Sequence, residues 1–245
     1  MQRFFVESDA IQGGKVRFPE SAARQMEKVL RLDLARDEVI VLDNSGKSYR
    51  VRLNGRQAGL LSGEILETKA PDPRLELRLE LGFSLTKREK VEWILQKGTE
   101  LGVSVFRPFV SERSLDRDLK LEHARQERWN AIIREAAEQS QRSRLPELCA
   151  PRNFRELLTA FPSESVRLFA WEGAAPELQM RPEWFRGAAA VGLLVGPEGG
   201  FSLEEGGLAK AAGFRLCSLG RRVLRMETAC LTACALSAHY LETAR

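Results

Sequence analysis

Two short stretches near the carboxyl end place glycines where a ligand would meet the main chain. The first, "LLVGPEGGFSLEE", ends an aliphatic run in a loop that contains Gly196, Gly199 and Gly200. Glycines remove the side chains that keep a ligand away from the backbone, and they allow positive φ angles. The peptide groups of this loop are therefore predicted to form a recognition surface.

Three phosphate-binding patterns are missing from the sequence around this loop. It has no G-x-x-x-x-G-K-[ST] motif, no G-x-G-x-x-G that opens a βαβ unit, and no lysine inside the loop. Nucleoside triphosphates and dinucleotides are excluded on these grounds. The loop is predicted to bind a neutral or cationic ligand through its main chain.

The second stretch, "SLGRRVLRMETA", runs from Ser218 to Ala229 and carries three arginines after a glycine turn. It is expected to enter a helix near Glu227 or Thr228. Thr228 is a candidate N-cap, and a carboxylate at Glu227 would lie favourably near the positive end of the helix.

The elements around both turns follow an α/β pattern. From Leu75 onward, apolar runs with strand character alternate with helical patterns, which predicts a mainly parallel sheet. A long helix is expected from about Asp118 to Ser140. Ser202 and Glu205 form an S-x-x-E capping box that begins another helix directly after the first loop. Both glycine turns therefore follow strands, at the edge where open α/β sheets bind their ligands.

The first 70 or so residues have a different pattern. Short alternating runs are separated by turn signals, among them Gly13-Gly14 and Asn54-Gly55, and a helix is expected from Glu20 to Leu30 with Val29 on its inner face. This pattern predicts a small β-barrel with one inserted helix. "APDPR", Ala70 to Arg74, is predicted to be a linker, because its two prolines interrupt both helix and sheet.

Composition places few limits on function. The 245 residues are 43% hydrophobic and 29% charged, with a formal net charge of +4, which is typical of a soluble folded protein with a mild preference for anionic partners. No run is long enough to predict a membrane helix, and we expect a cytoplasmic location. The four cysteines lack metal-site spacing and are expected to be reduced, buried thiols, so no metal is predicted.

The two glycine stretches together resemble the RsmE family of 16S ribosomal RNA methyltransferases, which belong to the SPOUT class. The resemblance rests on "LLVGPEGGFS" followed by "LGRRVLRMETA", and "KREKVEWILQKGTELGV" and "RWNAIIREAAEQSQR" are also similar to that family. It covers most of the chain. Gly98 and Met226 depart from the more usual residues at their positions.

The resemblance implies both a fold and an activity. Residues 1–71 would form a PUA-like β-barrel that binds RNA, and residues 74–245 an α/β SPOUT methyltransferase domain with a parallel sheet and a C-terminal trefoil knot. The protein would be a homodimer that uses S-adenosyl-L-methionine. It would methylate N3 of one uridine in the decoding region, helix 44, of 16S rRNA in the small ribosomal subunit.

The chemistry of this reaction suggests catalytic and RNA-binding residues, and the resemblance implies the residues that would hold the cofactor. Arg225 would stabilise the uridine anion, while Glu138 and Gln139 would act as base and base-orienting group, with Glu198 and Glu227 as rival acids. The cofactor would be held by Leu194, Gly196, Pro197, Glu198, Gly199, Gly200, Leu219, Gly220, Leu224, Glu227, Thr228 and Ala229. The candidates for RNA phosphate contacts are Arg3, Arg17, Arg24 and Arg31 in the barrel, with Arg142 and Arg144 on the second domain.

Two other functions remain open at this point. One is an RNA-binding assembly factor that keeps the fold without transferring a methyl group. The other is a SPOUT enzyme that methylates a ribose 2′-oxygen and shares the cofactor site. The intact glycines of the first loop favour an enzyme.

Overall fold

The computed structural model describes residues 1–57, 59–71, 78–175 and 177–243. The chain divides into two compact units. The first unit comprises Met1–Leu75 with Ala137–Leu145, and the second comprises Glu76–Ala136 with Pro146–Arg245. The domain limits 1–71 and 74–245 stay a prediction. Most of the predicted linker Ala70–Arg74 lies outside the described residues.

The first unit contains a six-stranded sheet in the order β1-β4-β5-β6-β3-β2. Only β1 and β4 pair in parallel among its described strand pairs, and the others are antiparallel. The strands are β1 Arg3–Phe5, β2 Ile11–Gln12, β3 Lys15–Arg17, β4 Glu38–Leu42, β5 Ser48–Gln57 and β6 Leu60–Lys69.

The predicted first helix is present, but its hydrogen-bond pattern changes from α-helical to π-helical partway along. An α-helix, α1, spans Glu20–Arg24, and a π-helical segment follows over Gln25–Val29. The Leu30 N–H donates to the Gln25 carbonyl, five residues earlier, at 2.9 Å. This wider turn shifts the inward-facing positions, and Val29 is 71% exposed. The expectation that Val29 faces the core is therefore wrong.

One of the two predicted turns is a strand irregularity instead. Gly13-Gly14 does form the turn between β2 and β3, with φ of +57° and +75°. At Asn54-Gly55, however, β5 continues through the pair, and its register against β6 shifts between Leu53 and Arg56. Gly55 has φ +73°, so this glycine permits a β-bulge rather than a reversal of the chain.

Ala137–Leu145 belongs to the first unit through specific contacts. The Phe5 N–H donates to Glu138 Oε1 at 3.0 Å, and the Leu145 N–H donates to Asn44 Oδ1 at 2.7 Å. Ala137 is buried in the same apolar cluster as Phe5. These contacts join a distant part of the chain to β1 and to the loop after β4.

The second unit is built on a parallel sheet in the order β10-β8-β7-β12-β11-β13, with β9 also pairing to β8. All its described strand pairs are parallel, which confirms the α/β parallel-sheet prediction for this unit. The strands are β7 Arg78–Ser84, β8 Val103–Val110, β9 Glu147–Leu148, β10 Arg152–Asn153, β11 Val166–Ala170, β12 Ala190–Val195 and β13 Arg215–Cys217.

Five α-helices and one 3-10 helix, Pro182–Phe185, are described from Arg88 onward. The α-helices are α2 Arg88–Glu100, α3 His123–Gln139, α4 Phe154–Leu158, α5 Leu203–Ala211 and α6 Met226–Thr243. The α3 helix begins later than the predicted Asp118, because the Asp118 carboxylate accepts the Lys120 N–H in a local turn. The α6 helix already begins at Met226. Thr228 therefore lies inside the first turn and is not the N-cap.

The sheet of the second unit has apolar packing on both faces. Along β12, Leu193 and Val195 belong to one buried cluster and Leu194 to another, as the period of two in a strand requires. Gly98, one departure from the family pattern, lies under Phe106, whose ring carbon is 2.8 Å from the place a Cβ would take. A larger residue would collide with that ring, so glycine suits this packing.

The cysteines are free thiols, as expected. Cys217, Cys230 and Cys234 are buried, whereas Cys149 is only half-buried, contrary to the prediction. Burial raises the pKa of Cys217 to about 12, which makes it a poor nucleophile. Within the described residues, no helix has both the length and the apolar character needed to span a membrane.

Candidate functional site

A cavity of about 420 Å³ lies at the carboxyl ends of β11, β12 and β13. Residues after each of these three strands line it, so both predicted glycine turns border the same space. The cavity wall includes the predicted residues Gly196, Pro197, Glu198, Gly199, Gly200, Leu219, Gly220, Leu224, Arg225 and Ala229.

The loop after β12 depends on glycine for its shape. Gly200 has φ +69°, its N–H donates to the Pro197 carbonyl at 2.9 Å, and an added Cβ would overlap the Glu172 carboxylate. An added Cβ at Gly196 would lie 2.7 Å from ring atoms of the buried Phe201. This arrangement leaves main-chain atoms of the loop at the cavity wall.

The helix after this loop begins as the sequence predicts. The Ser202 hydroxyl accepts the Glu205 N–H at 3.3 Å, and the Glu205 carboxylate accepts the Ser202 N–H at 3.0 Å. The other carboxylate oxygen of Glu205 accepts the Glu112 N–H at 3.0 Å. The capping box therefore fixes the end of the loop to the segment after β8.

The second loop is held by a small polar turn. The Ser218 hydroxyl accepts the Gly220 N–H at 3.2 Å, and Gly220 has φ +125°, in the region that favours glycine. The Ser218 N–H donates to the Leu178 carbonyl at 2.8 Å. The turn thus places Leu219 and Gly220 at the cavity.

Sequence reasoning missed the third wall of the cavity. Trp171 and Glu172 follow β11, which lies between β12 and β13 in the sheet. The Trp171 N–H donates to the Cys217 carbonyl at 3.1 Å. The stretch "VRLFAWE" predicts the strand itself, but it does not indicate that this strand lies between β12 and β13, so the rule that ligands bind at carboxyl ends of parallel strands could not single out these residues.

Acidic and basic side chains form a cluster beside the cavity. Lys90 Nζ lies 2.9 Å from Glu198 Oε1 and 3.2 Å from Glu227 Oε2, and the Thr86 hydroxyl donates to Glu198 Oε1 at 2.5 Å. Burial alone would raise the pKa of Glu198, but the hydrogen bonds from Thr86 and Lys90 outweigh it and lower that pKa. The hydrogen bond to Glu198 raises the pKa of Lys90. Glu198 is therefore held as a carboxylate at the cavity wall.

Three of the predicted cofactor residues lie outside the cavity wall. Leu194 is buried within β12, in the apolar cluster that also contains Phe201. Glu227 and Thr228 belong to the first turn of α6. Their contribution to cofactor binding stays a prediction.

The predicted catalytic residues fall in different units. Arg225 lines the cavity, and its carbonyl accepts the Ala229 N–H at 2.8 Å as α6 begins. Glu138 and Gln139 belong to the first unit, where Glu138 Oε1 accepts the Phe5 N–H. The roles of all three stay predictions.

The predicted RNA-binding arginines all belong to the first unit, whereas Arg142 and Arg144 were expected on the second domain. Arg24 pairs with Glu20 at 3.2 Å, and Arg3 donates to Gln141 at 3.3 Å. Burial lowers the pKa of Arg142 to about 10. The remaining candidates, Arg17, Arg31 and Arg144, have exposed side chains.

No group of three or more His, Cys, Asp or Glu side chains that could hold a metal ion occurs in the described part of the chain.

Comparison with known proteins identifies the class and then the family. Residues 73–238 match the family model of the RNA methyltransferase domain. The chain is also 35% identical to ribosomal RNA small subunit methyltransferase E of Synechocystis sp., over 93% of this chain and 74% of that protein. The chain belongs to the ribosomal RNA small subunit methyltransferase E family, which confirms the predicted family.

Solved structures agree with this assignment. A ribosomal RNA small subunit methyltransferase E from Neisseria gonorrhoeae, bound to S-adenosyl methionine, is 32% identical, with a TM-score of 0.84 and 96% of each chain covered. A methyltransferase from Legionella pneumophila in complex with the same cofactor is 26% identical, with a TM-score of 0.80 and coverage of 97% of this chain and 96% of that one. These neighbours confirm the predicted fold class in its α/β methyltransferase part, and the predicted cofactor.

Proposed function

We propose that this chain transfers a methyl group from S-adenosyl-L-methionine to N3 of one uridine in the decoding region, helix 44, of 16S rRNA in the small ribosomal subunit. One observation carries the proposal: both glycine turns, with the end of β11, line a single cavity at the carboxyl edge of a parallel sheet. Membership in the ribosomal RNA small subunit methyltransferase E family supports the substrate class.

The cavity fits S-adenosylmethionine in size and in chemistry. Its volume of about 420 Å³ falls within the range of small-molecule sites. The wall offers main-chain groups where glycines lie, and the carboxylates of Glu172 and Glu198 border it. Carboxylates favour a cationic sulfonium, and Arg222 and Arg225, which also line the wall, would favour an anionic group of the ligand.

The chain's own residues must chiefly position the reactants. When bound, S-adenosylmethionine supplies an electrophilic methyl group for in-line transfer. The main chain of the two loops would hold the cofactor at a fixed distance and angle to the base, and such positioning can lower the barrier of a group transfer by about 7–11 kcal/mol. Uridine N3 carries a proton at neutral pH, and the nitrogen is a poor nucleophile until that proton is removed.

Arg225 would stabilise the uridine anion, because a guanidinium donates two hydrogen bonds to an oxygen that gains charge. Its place at the cavity wall supports this role. Glu138, oriented by Gln139, remains our candidate for the base, with Glu198 and Glu227 as rival acids. Oε1 of Glu138 accepts the Phe5 N–H, and Oε1 of Glu198 accepts hydrogen bonds from Thr86 and Lys90.

RNA would be bound by cationic side chains of the first unit, whose six-stranded sheet we propose to be a PUA-like barrel. We further propose that the carboxyl end of the second unit forms a trefoil knot, that the protein is a homodimer, and that it acts in the cytoplasm, where its RNA is found. The phosphate contacts would come from Arg3, Arg17, Arg24, Arg31, Arg142 and Arg144.

The decisive experiment measures the product. The purified protein, small ribosomal subunits that lack the modification and labelled S-adenosylmethionine are incubated, and the rRNA nucleosides are analysed by mass spectrometry. We expect 3-methyluridine, with Arg225→Lys retaining cofactor binding but losing most of the transfer. A ribose 2′-O-methyl product, or cofactor-independent RNA binding without transfer, would contradict the proposal.

A further inference from the structure

Lys90 occupies a central place among acidic groups, yet it is not part of the cavity wall. It extends from α2, and its side chain is 28% exposed. Its two carboxylate partners lie on two different segments, Glu198 in the loop after β12 and Glu227 in the first turn of α6. One ammonium thus bridges the two segments that border the cavity.

Each carboxylate depends on this ammonium to a different degree. Glu198 Oε1 also accepts the Thr86 hydroxyl, so it keeps a donor without Lys90. Within the described residues, Glu227 Oε2 is buried, makes no hydrogen bond and has Lys90 as its ion-pair partner at 3.2 Å. Loss of the ammonium would therefore remove the ion-pair partner of a buried carboxylate oxygen of Glu227.

The two carboxylates would then repel each other. Both approach the same nitrogen, at 2.9 Å and 3.2 Å, so they lie close together, and both side chains are largely shielded from water. Like charges at such a spacing are costly where solvent screening is weak. Glu198 borders the cavity, so a displacement of its carboxylate would alter the wall.

We propose that Lys90 is a positioning residue for the cofactor cavity. Its ammonium neutralises Glu198 and Glu227 and so keeps the loop after β12 and the start of α6 at a fixed distance from each other. This inference rests on the proposed function, because it takes the cavity to be the S-adenosylmethionine site. Lys90 touches neither the cofactor nor the reacting atoms in this scheme.

The test compares S-adenosylmethionine binding by calorimetry in the full-length protein and its variants. Lys90→Met keeps the apolar stem and removes only the charge. We expect Lys90→Met to weaken binding about tenfold, because part of the binding free energy would be spent on restoring the spacing of the cavity wall. In transfer assays the KM for the cofactor should rise while kcat at saturation stays unchanged, as for a residue that acts on binding alone.

A second variant separates charge from packing. Lys90→Arg keeps a positive charge beside Glu198 and Glu227, so its affinity for the cofactor should exceed that of Lys90→Met. A role of the Lys90 stem in packing alone predicts no such advantage for Lys90→Arg. Thermal unfolding of each variant confirms that the chain is folded before its binding is compared.

A matched control comes from the same helix. Lys97 pairs with Glu100 at 2.8 Å, three residues on along α2, and Lys97→Met should leave cofactor binding at the wild-type value. Wild-type affinity in Lys90→Met, or a Lys90→Arg variant that binds no better than Lys90→Met, overturns the inference while the proposed function stands. A wild-type protein that does not bind S-adenosylmethionine overturns both.

Discussion

Gly196→Ala tests whether the loop after β12 is shaped by the absence of a side chain. The new methyl group would lie 2.7 Å from Cδ2 and Cε2 of Phe201 and 3.1 Å from its Cζ. Phe201 is 4% exposed, and its ring centroid is 4.2 Å from that of Phe169 and 6.2 Å from that of Phe109. The ring therefore cannot move aside without disturbing a packed aromatic cluster.

The magnitude follows from this geometry. Gly196 does not have a positive φ, so the substitution adds no left-handed strain, and the whole cost comes from overpacking. Inserting a methyl group into a well-packed core typically costs about 1–3 kcal/mol. We expect Gly196→Ala to lower the free energy of unfolding by an amount in that range.

Urea unfolding monitored by tryptophan fluorescence measures this change. All four tryptophans belong to the second unit, so their signal reports the unit that contains the loop. The denaturation midpoint should fall while the slope with urea stays constant, which is the signature of a change in stability alone. The tryptophans are Trp93, Trp129, Trp171 and Trp184.

Two further variants make the reasoning refutable. In a Phe201→Leu background, which removes the ring, Gly196→Ala should cost less, because the two sites are in contact and their effects are not additive. Gly207, exposed in α5 with nothing within 4 Å of a built Cβ, is the control, and Gly207→Ala should stabilise the protein by about 0.5–1 kcal/mol. An equal cost of Gly196→Ala in both backgrounds would show that the ring is not its cause.

Three other changes have defined outcomes. Hydrogen bonds from Arg128 and then Arg88, opposed by burial, lower the pKa of Glu92 from 4.5 to about 2. The contribution of Glu92 to the free energy of unfolding is therefore present above pH 4.5 and is lost as the pH falls toward 2. In urea unfolding, Glu92→Gln should cost about 1 kcal/mol at pH 7 and nothing near pH 2. Ser202→Ala removes the N-cap of α5 and should lower stability in the same assay by about 1 kcal/mol, a loss that Ser202→Asp should avoid. A Cβ added at Gly220 would contact no atom within 4 Å, but the residue has φ +125°. Gly220→Ala should therefore introduce backbone strain of about 1–2 kcal/mol and weaken cofactor binding in calorimetry. Unchanged affinity would argue against a strained turn.

The sequence predicts those parts of the site that depend on local backbone chemistry. Gly196, Gly200 and Gly220 can be recognised because a glycine-rich loop directly after a strand is typical of binding through main-chain groups. The Ser202 capping box is predictable in the same way, since its two partners are three residues apart. Local spacing carries enough information for such features.

Features that depend on strand order could not be predicted. Nothing in the chain says that β11 lies between β12 and β13, so the sequence alone does not assign Trp171 and Glu172 to the cavity wall. The Lys90 contacts join residues more than a hundred positions apart, and no periodicity signals them. The winding of the Gln25–Val29 segment likewise depends on packing, and it places Val29 at the surface.

The glycine-lined wall has a consequence for how this chain tolerates mutation. A peptide amide or carbonyl cannot be deleted by substituting one residue for another, so most point changes around the cavity leave its binding groups in place. Loss of binding would instead come from substitutions that enlarge a side chain. The most sensitive positions are those where a glycine already fills the available space.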